Sequence, residues 1–387
     1  MTSHPLNDHP HPEFPLDEDL AYLNHAAVAP WPRRARNAVA AFADENLHRG
    51  AADYPRWLQL EQRLRSNLAQ LIHAEAPEDV ALCKNTSEAL SFVAYGLDWQ
   101  HGDEIIITDQ EFPSNRIVWE SLKPRGVTVK VVSLAGREAD PEAAIAEAFT
   151  ERTQLLSVSS VQYGTGLRIH PEAMGRLCKS HGVLFCLDAI QSIGAEPLNV
   201  QEAQVDFTMA DGHKWMLGPE GLALFWVNPA IRDQLTLHEF GWHMVAQRGD
   251  FDRKIWEVAP DATRFECGSP NLLAAHALQA STDVLLERGL TDVGADIRRR
   301  VRWLEEALES LPGFVPLTPA EPMRRLGIYT FRFEGVDSDE LYRRLMKRGV
   351  ICAHRGGGVR FSPHFYTSTQ ALENAVYRLK ETLSDWK

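Results

Sequence analysis

Between residues 79 and 227 the sequence alternates short, almost purely apolar runs with helical segments of about ten residues, and few folds accept that pattern. The apolar runs are Asp79–Leu82, Glu104–Thr108, Val127–Val132, Gln154–Val161, Val183–Asp188, Asp206–Met209 and Leu222–Val227. The helical segments between them are Ser87–Leu97, Ser114–Lys123, Pro141–Phe149 and Pro171–Ser180. Strands apolar on both faces need helices on both sides, so the pattern predicts an α/β fold with a mostly parallel, mixed sheet between helices. A helical stretch, Arg33 to His73, precedes it, with Leu60, Leu64, Leu68 and Leu71 at helical spacing.

The rhythm changes after residue 255. Helices are expected at Leu272–Arg288, Asp292–Leu311, Asp337–Lys347 and Thr369–Leu383, and strands at Gly327–Glu334 and Val359–Ser362. The chain therefore divides into a flexible lead-in, 1–15, a large domain, 16–255, and a smaller C-terminal α+β domain, 256–387. Arg298, Arg299 and Arg300 are expected on a solvated helix face, with Val301, Leu304 and Leu308 as the buried stripe.

Charge and cysteine usage narrow the partners. Lys plus Arg is 40 against 53 for Asp plus Glu, a formal charge of −13. Such a chain has little general attraction for nucleic acid or an anionic membrane, which leaves room for a local basic pocket. Five cysteines without a CxxC pair argue against a disulfide framework or a structural zinc site and fit a reducing cytoplasm. No metal ligand set is expected; His4, His9 and His11 read as part of a Pro-rich lead-in rather than a metal tract. The first residues lack a basic and an apolar signal region, and no run of about 18 apolar residues exists to span a bilayer.

Three segments carry the chemistry. Thr86 and Ser87, in Lys84-Asn85-Thr86-Ser87-Glu88, fall at a strand-to-helix turn, where free N–H groups and two hydroxyls suit a helix cap or a phosphate. Asp188 ends an apolar strand at the carboxyl edge of the sheet, where ligands of open α/β folds bind. Lys214 follows a buried strand in Asp211-Gly212-His213-Lys214-Trp215, and a desolvated lysine serves as a Schiff-base nucleophile. Taken singly, a cap, an edge acid and a loop lysine are ordinary. Neither GxxxxGK[ST] nor a strand-linked GxGxxG is present, so ATP and dinucleotide readings, including a nicotinamide-dependent dehydrogenase, lose their main support.

Taken in order, the three resemble the fold-type-I pyridoxal-phosphate (PLP) enzymes, and among them the class V aminotransferase superfamily of cysteine desulfurases, kynureninases and isopenicillin N epimerase-like proteins. The resemblance runs from Tyr22-Leu23-Asn24-His25-Ala26-Ala27 to Arg360-Phe361-Ser362-Pro363-His364-Phe365-Tyr366. It implies pyridoxal 5′-phosphate as cofactor, Lys214 as the Schiff-base lysine and Asp188 as the partner of the pyridinium nitrogen. It also places Gln191 at the ring hydroxyl and Thr86, Ser87 and His213 at the phosphate, with Asp211 where many relatives carry Ser. Phe112 takes the ring-stacking position, and Tyr163 lies near the ring or substrate. Ser269, in Arg264-Phe265-Glu266-Cys267-Gly268-Ser269, would reach the partner subunit's phosphate, which implies a homodimer with shared active sites. Arg360 would clamp the carboxylate of a small amino-acid substrate, with Arg355 as a second cation and Asn24 and His25 as pocket residues. Trp242 and His243 are weaker pocket candidates.

The expected function is an amino-acid aminotransferase, with a PLP-dependent C–S or C–C lyase or an epimerase as the alternative and a non-catalytic scaffold as the outside reading. A desulfurase proper is excluded at this stage. In desulfurases the sulfur-accepting cysteine lies on a long loop between the arginines corresponding to Arg355 and Arg360. Here only Gly356, Gly357, Gly358 and Val359 separate them.

Overall fold

The structure, a computed structural model, describes residues 11–386. His4 and His9 lie outside the described residues. A short strand, β1 (Ala21–Tyr22), precedes the helical stretch, which is two helices, α1 (Arg33–Arg49) and α2 (Tyr54–Leu71). Gly50, at φ +54°, turns the chain between them. The alternating region follows as β2 (Val80–Cys83), α3 (Thr86–Gly96), β3 (Glu104–Thr108), α4 (Ser114–Glu120), β4 (Thr128–Val132), α5 (Pro141–Ala146) and β5 (Thr153–Ser159). It continues through α6 (Pro171–His181), β6 (Leu184–Asp188), β7 (Phe207–Asp211) and β8 (Ala223–Val227). The tail holds α7 (Leu272–Arg288), α8 (Leu290–Glu309), β9 (Phe314–Pro316), β10 (Tyr329–Phe333) and α9 (Ser338–Lys347). It ends with β11 (Val350–Ile351), β12 (Ala353–Arg355), β13 (Gly358–Phe361) and α10 (Thr369–Ser384).

The main sheet has seven strands in the order β2-β8-β7-β6-β5-β3-β4, and β8 alone runs antiparallel to its neighbours. Both faces are dry. Phe185 and Leu187 of β6 join a core with α2, α6 and α7, while Cys186 between them joins a core with α3 and α4. That alternation follows from the two-residue period of a strand, and it explains why the sequence shows unbroken apolar runs. Chain order reverses between β3 and β5, and in open α/β sheets a crevice opens at the carboxyl ends there.

The division of the chain differs from the expected one. Helix α7 packs on α1 and α2, and Ala274, Ala275, Leu278 and Leu285 belong to the core of the large sheet. Conversely, Ala21 and Leu23 belong to the small unit's core, because β1 pairs in parallel with β11. Helix α8 bridges the two: Leu290, Val293 and Ile297 face the large core, and Val301, Leu304 and Leu308 the small one. The small sheet has the order β12-β13-β10-β9. Two further expectations change. Arg300 is buried, donating to the carbonyls of Thr367 and Asp296, so only Arg298 and Arg299 lie on the wetter side of α8. Phe14, placed in the lead-in, is buried and stacks on Tyr366.

A buried charge cluster ties α2 to the segment that precedes α7. Arg65 donates to Glu61 at 2.7 Å and, through both terminal nitrogens, to Glu266 at 2.6 and 2.7 Å. Glu266 also accepts from the N–H of Leu82, and His243 lies 3.6 Å from it. The carboxylates and imidazole of Glu61, Glu266 and His243 converge within 4.8 Å, and the Arg65 guanidinium supplies the cation among them. His243 is thereby a support of this cluster rather than a substrate contact. Removing one partner of such a pair leaves uncompensated buried charge. Arg65→Leu is expected to destabilise the protein by about 3–5 kcal/mol, read as a lower urea midpoint. An unchanged midpoint would contradict the compensating role.

Candidate active site

Strands β6 and β7 lie side by side in parallel, with Asp188 opposite Met209, so their carboxyl ends open into the same space. Asp188 is the last residue of β6, Asp211 the last of β7, and Lys214 follows three residues later. Both Asp188 and Lys214 are buried. Burial raises the Asp188 carboxyl above its ordinary range; the N–H of Ile190 at 3.1 Å opposes that, Glu111 adds to it, and Lys214 opposes it. Burial lowers the Lys214 ammonium, Asp188 raises it, and Arg360 lowers it again. The net effect lowers the amine to about 8, so that it gives up its proton near neutrality far more readily than a solvated lysine, beside an acid that can hold a proton-bearing ring nitrogen.

Phe112 follows β3 and Tyr163 follows β5, on either side of the reversal in strand order. Their rings meet edge to face at 5.1 Å, and the Lys214 Nζ lies 5.6 Å from the Phe112 centroid. Phe112 is 42% exposed, and the Lys214 ammonium lies over its ring face. The sequence reading left its neighbour Glu111 without a role. That buried carboxylate accepts from Thr108, Asn115, Ser159 and Gln162, locking the β3–α4 turn to the end of β5. The spacing Thr108, Glu111, Asn115 was the visible signal for it.

Trp215 was likewise missed. Its indole N–H donates to Gln191 Oε1 at 2.8 Å, while Gln191 Nε2 donates to the carbonyl of Ala26 at 3.0 Å. An amide held this way leaves its remaining N–H to offer, which suits a ring oxygen. His364 accepts the N–H of Phe365 on Nδ1 and bonds the Trp215 carbonyl through Nε2, joining the Ser362-Pro363-His364-Phe365-Tyr366 stretch to the lysine loop.

The small unit contributes the cations. Arg360, on β13, is buried and donates to the carbonyl of Tyr163 at 2.7 Å; its Nε has no partner. Among the described residues no carboxylate lies within 4.0 Å of it. Burial, with Arg355 adding, lowers its guanidinium to about 10. A buried cation without an anion awaits one from a ligand. Arg355 sits exposed on the hairpin between β12 and β13 and bonds the carbonyl of His354. Gly356, at φ +59°, brings that hairpin against Gly164, where a Cβ would stand 2.5 Å from the Gly164 oxygen. Asn24 has its Oδ1 buried without a partner. His25 does not line the pocket as expected: Nδ1 bonds the Ser362 carbonyl and Nε2 the Tyr366 hydroxyl, and burial lowers the ring to about 4.

At the phosphate end, Asn85 rather than Thr86 or Ser87 caps α3, accepting from the N–H of Glu88 at 2.9 Å. Thr86 gives both its N–H and its hydroxyl to Asp211, and Ser87 donates to Ser114. The His213 Nδ1 is buried without a partner, and burial lowers its ring to about 4, so it is neutral near pH 7. Ser269 lies apart, in a groove with Lys84, Glu239 and Cys267. Orphaned buried atoms on His213 and Arg360, a ring face above Lys214 and a strand-end acid together fit PLP with an amino acid on it.

The model of the family described as Aminotransferase class-V matches residues 21–373. The chain belongs to the class-V aminotransferase family. Its fold is fold type I, and its cofactor is pyridoxal 5′-phosphate. A probable cysteine desulfurase of Methanothermobacter thermautotrophicus is 28% identical over 96% of each chain. Among solved structures, a variant of C-DES with glycine covalently linked to its PLP cofactor superposes with TM-score 0.89, at 22% identity, over 97% of this chain and 99% of that one. The cystine C–S lyase C-DES in complex with its reaction product cysteine persulfide superposes with TM-score 0.86, at 22% identity, over 93% and 97%.

These relatives correct one expectation. Other curated relatives are also named cysteine desulfurases, so the sequence-based exclusion of desulfurase chemistry does not stand. It rested on the expected position of one thiol between Arg355 and Arg360, and relatives matching nearly the whole chain outweigh that one position. No helix among the described residues is long and apolar enough to cross a membrane.

Purified protein is expected to be yellow, and borohydride should fix the cofactor to the peptide carrying Lys214. Lys214→Ala should abolish that fixation while leaving the fold intact by circular dichroism. A colourless protein indifferent to PLP would overturn the assignment.

Proposed function

We propose that this PLP enzyme cleaves the carbon–sulfur bond of a cysteine-type amino acid, in place of the transamination expected from sequence. The observation that carries the reading is the pairing of a buried lysine, its ammonium destabilised by burial, with a buried, unpaired arginine in a chain whose relatives over nearly its whole length are named cysteine desulfurases. Arg360 holds the substrate carboxylate through its fork, which fixes the amino acid at one end. Lys214, whose ammonium burial destabilises, takes the proton from Cα as an amine and can return one. Asp188 holds a proton at the ring nitrogen, and Phe112 fixes the ring plane at small entropic cost. The bound cofactor supplies the electron sink for the Cα electron pair. The Cα pair then forms a Cα–Cβ double bond as the Cβ–S bond breaks; the sulfur leaves as a thiolate, or as a persulfide from cystine, and takes up a proton, and hydrolysis of the remaining enamine gives pyruvate and ammonia.

With cysteine or cystine and no α-keto acid, the enzyme should release sulfide or sulfane sulfur over many turnovers. Stoichiometric conversion to the pyridoxamine form, with further turnover only when a keto acid is added, would contradict the reading and restore transamination.

We also propose a homodimer. The stretch 240–256 leaves Phe240, Trp242, Phe251, Ile255 and Trp256 exposed, a cluster of large apolar side chains of the kind that marks protein–protein contacts. It adjoins the segment bearing Ser269, which the family resemblance directs to the partner's phosphate. Sedimentation equilibrium should give twice the chain mass, and Ser269→Ala should weaken cofactor retention. A monomer that holds PLP equally well would contradict both.

A further inference from the structure

One residue at the phosphate end has the wrong charge for its position. The carboxylate of Asp211 lies on the N-terminus of α3, accepting the Thr86 N–H at 2.5 Å and the Thr86 hydroxyl at 3.0 Å through Oδ1. Its other oxygen faces His213 Nδ1 at 3.4 Å. Those donors, with Ser87 beside them, are the ones the fold offers to a phosphate. An arriving phosphate therefore meets an anion already seated among them.

The surrounding charges do not cancel it. Lys214 follows three residues later and Glu220 lies on the same loop, the first favouring and the second opposing the carboxylate. Asp188 on β6 is a further acid within electrostatic reach, and Cys83 on β2 is a neutral thiol whose ionisation burial suppresses. Glu88 on α3 is engaged by Lys84. His213 is neutral, because burial holds its ring at about 4. Burial also raises the Asp211 carboxyl, against the pull of the Thr86 bonds. A phosphate that took up the Thr86 and Ser87 donors would lie beside the Asp211 carboxylate, and two oxyanions so placed in a partly dry site would hold one proton between them. A phosphate ester's second ionisation lies near pH 6, so the phosphate can take that proton as readily as the acid can.

We infer that Asp211 makes cofactor binding proton-linked: the phosphate and the Asp211 carboxylate share a single proton that enters from solvent as the cofactor seats. The inference rests on the PLP site described above and is independent of which bond the enzyme breaks. It assigns Asp211 a positioning role that a serine at this place would not have.

The test uses pyridoxamine 5′-phosphate, which binds without a covalent link to Lys214, titrated into the cofactor-stripped full-length protein by calorimetry at pH 8. Two buffers of different ionisation enthalpy give the number of protons taken up. Wild type should take up about one proton more than Asp211→Ser and Asp211→Asn. Between pH 7 and 9 its Kd should rise roughly tenfold per unit relative to both variants. Phosphorus NMR of the wild-type complex should show a phosphate resonance shifted from the dianion position that the variants adopt. Equal proton counts and equal resonances with tight binding in all three proteins would overturn the inference alone. Failure of wild type to bind pyridoxamine 5′-phosphate would overturn it together with the reading of the site.

Discussion

The structure is organised around a lysine and an aspartate buried beside each other at the ends of two parallel strands. Neither charge is stable there without help. Asp188 leans on the N–H of Ile190 and on Lys214, and Lys214 on Asp188, so each is the other's main electrostatic support. Everything that fixes β6 against β7 fixes that distance. The two dry faces of the sheet do most of this, since a residue shift in either strand would turn Cys186 and Met209 out of one core and Phe185 and Leu187 out of the other.

Around that pair, the fold assembles donors and acceptors that have no partners of their own. Arg360 has no acid, His213 Nδ1 makes no hydrogen bond, and Asn24 Oδ1 has no donor. Such groups weaken a protein that merely has to stay folded, and those on His213 and Arg360 flank Lys214, where a ligand would satisfy them. The shell around them is well satisfied. Glu111 gathers donors from β3, α4 and the end of β5, and the Trp215–Gln191–Ala26 chain holds an amide in one orientation. The small unit reaches the site through the Gly356 hairpin, whose close approach to Gly164 sets the arginine at the Tyr163 carbonyl.

The alternation of apolar runs was enough to read the parallel sheet, because strands buried on both faces announce themselves by composition. The sequence also singled out Lys214, Asp188, Phe112 and Arg360, each at a strand end or in a short motif, and the structure brings them near one another. The domain boundary was not. Helix α7 and strand β1 take their places through contacts distant in sequence, and neither periodicity nor turn residues encode such partners. His25 was misread for the same reason: its two acceptors and donors come from residues 362 and 366. The exclusion of desulfurase chemistry failed differently. It let the spacing of one short segment, Arg355 to Arg360, outweigh a likeness to desulfurases that runs along nearly the whole chain.

The central claim is geometric: the Lys214–Asp188 pair is the seat of the cofactor, and Arg360 the seat of the substrate carboxylate. It is tested most directly by measuring contact distances in a crystal of the PLP-loaded enzyme with a non-reactive cysteine analogue. The account predicts an Asp188 oxygen within about 3 Å of the ring nitrogen, Phe112 stacked on the ring, and both terminal nitrogens of Arg360 on the analogue's carboxylate. A cofactor whose ring nitrogen faces another residue, or a carboxylate bound away from Arg360, would contradict it.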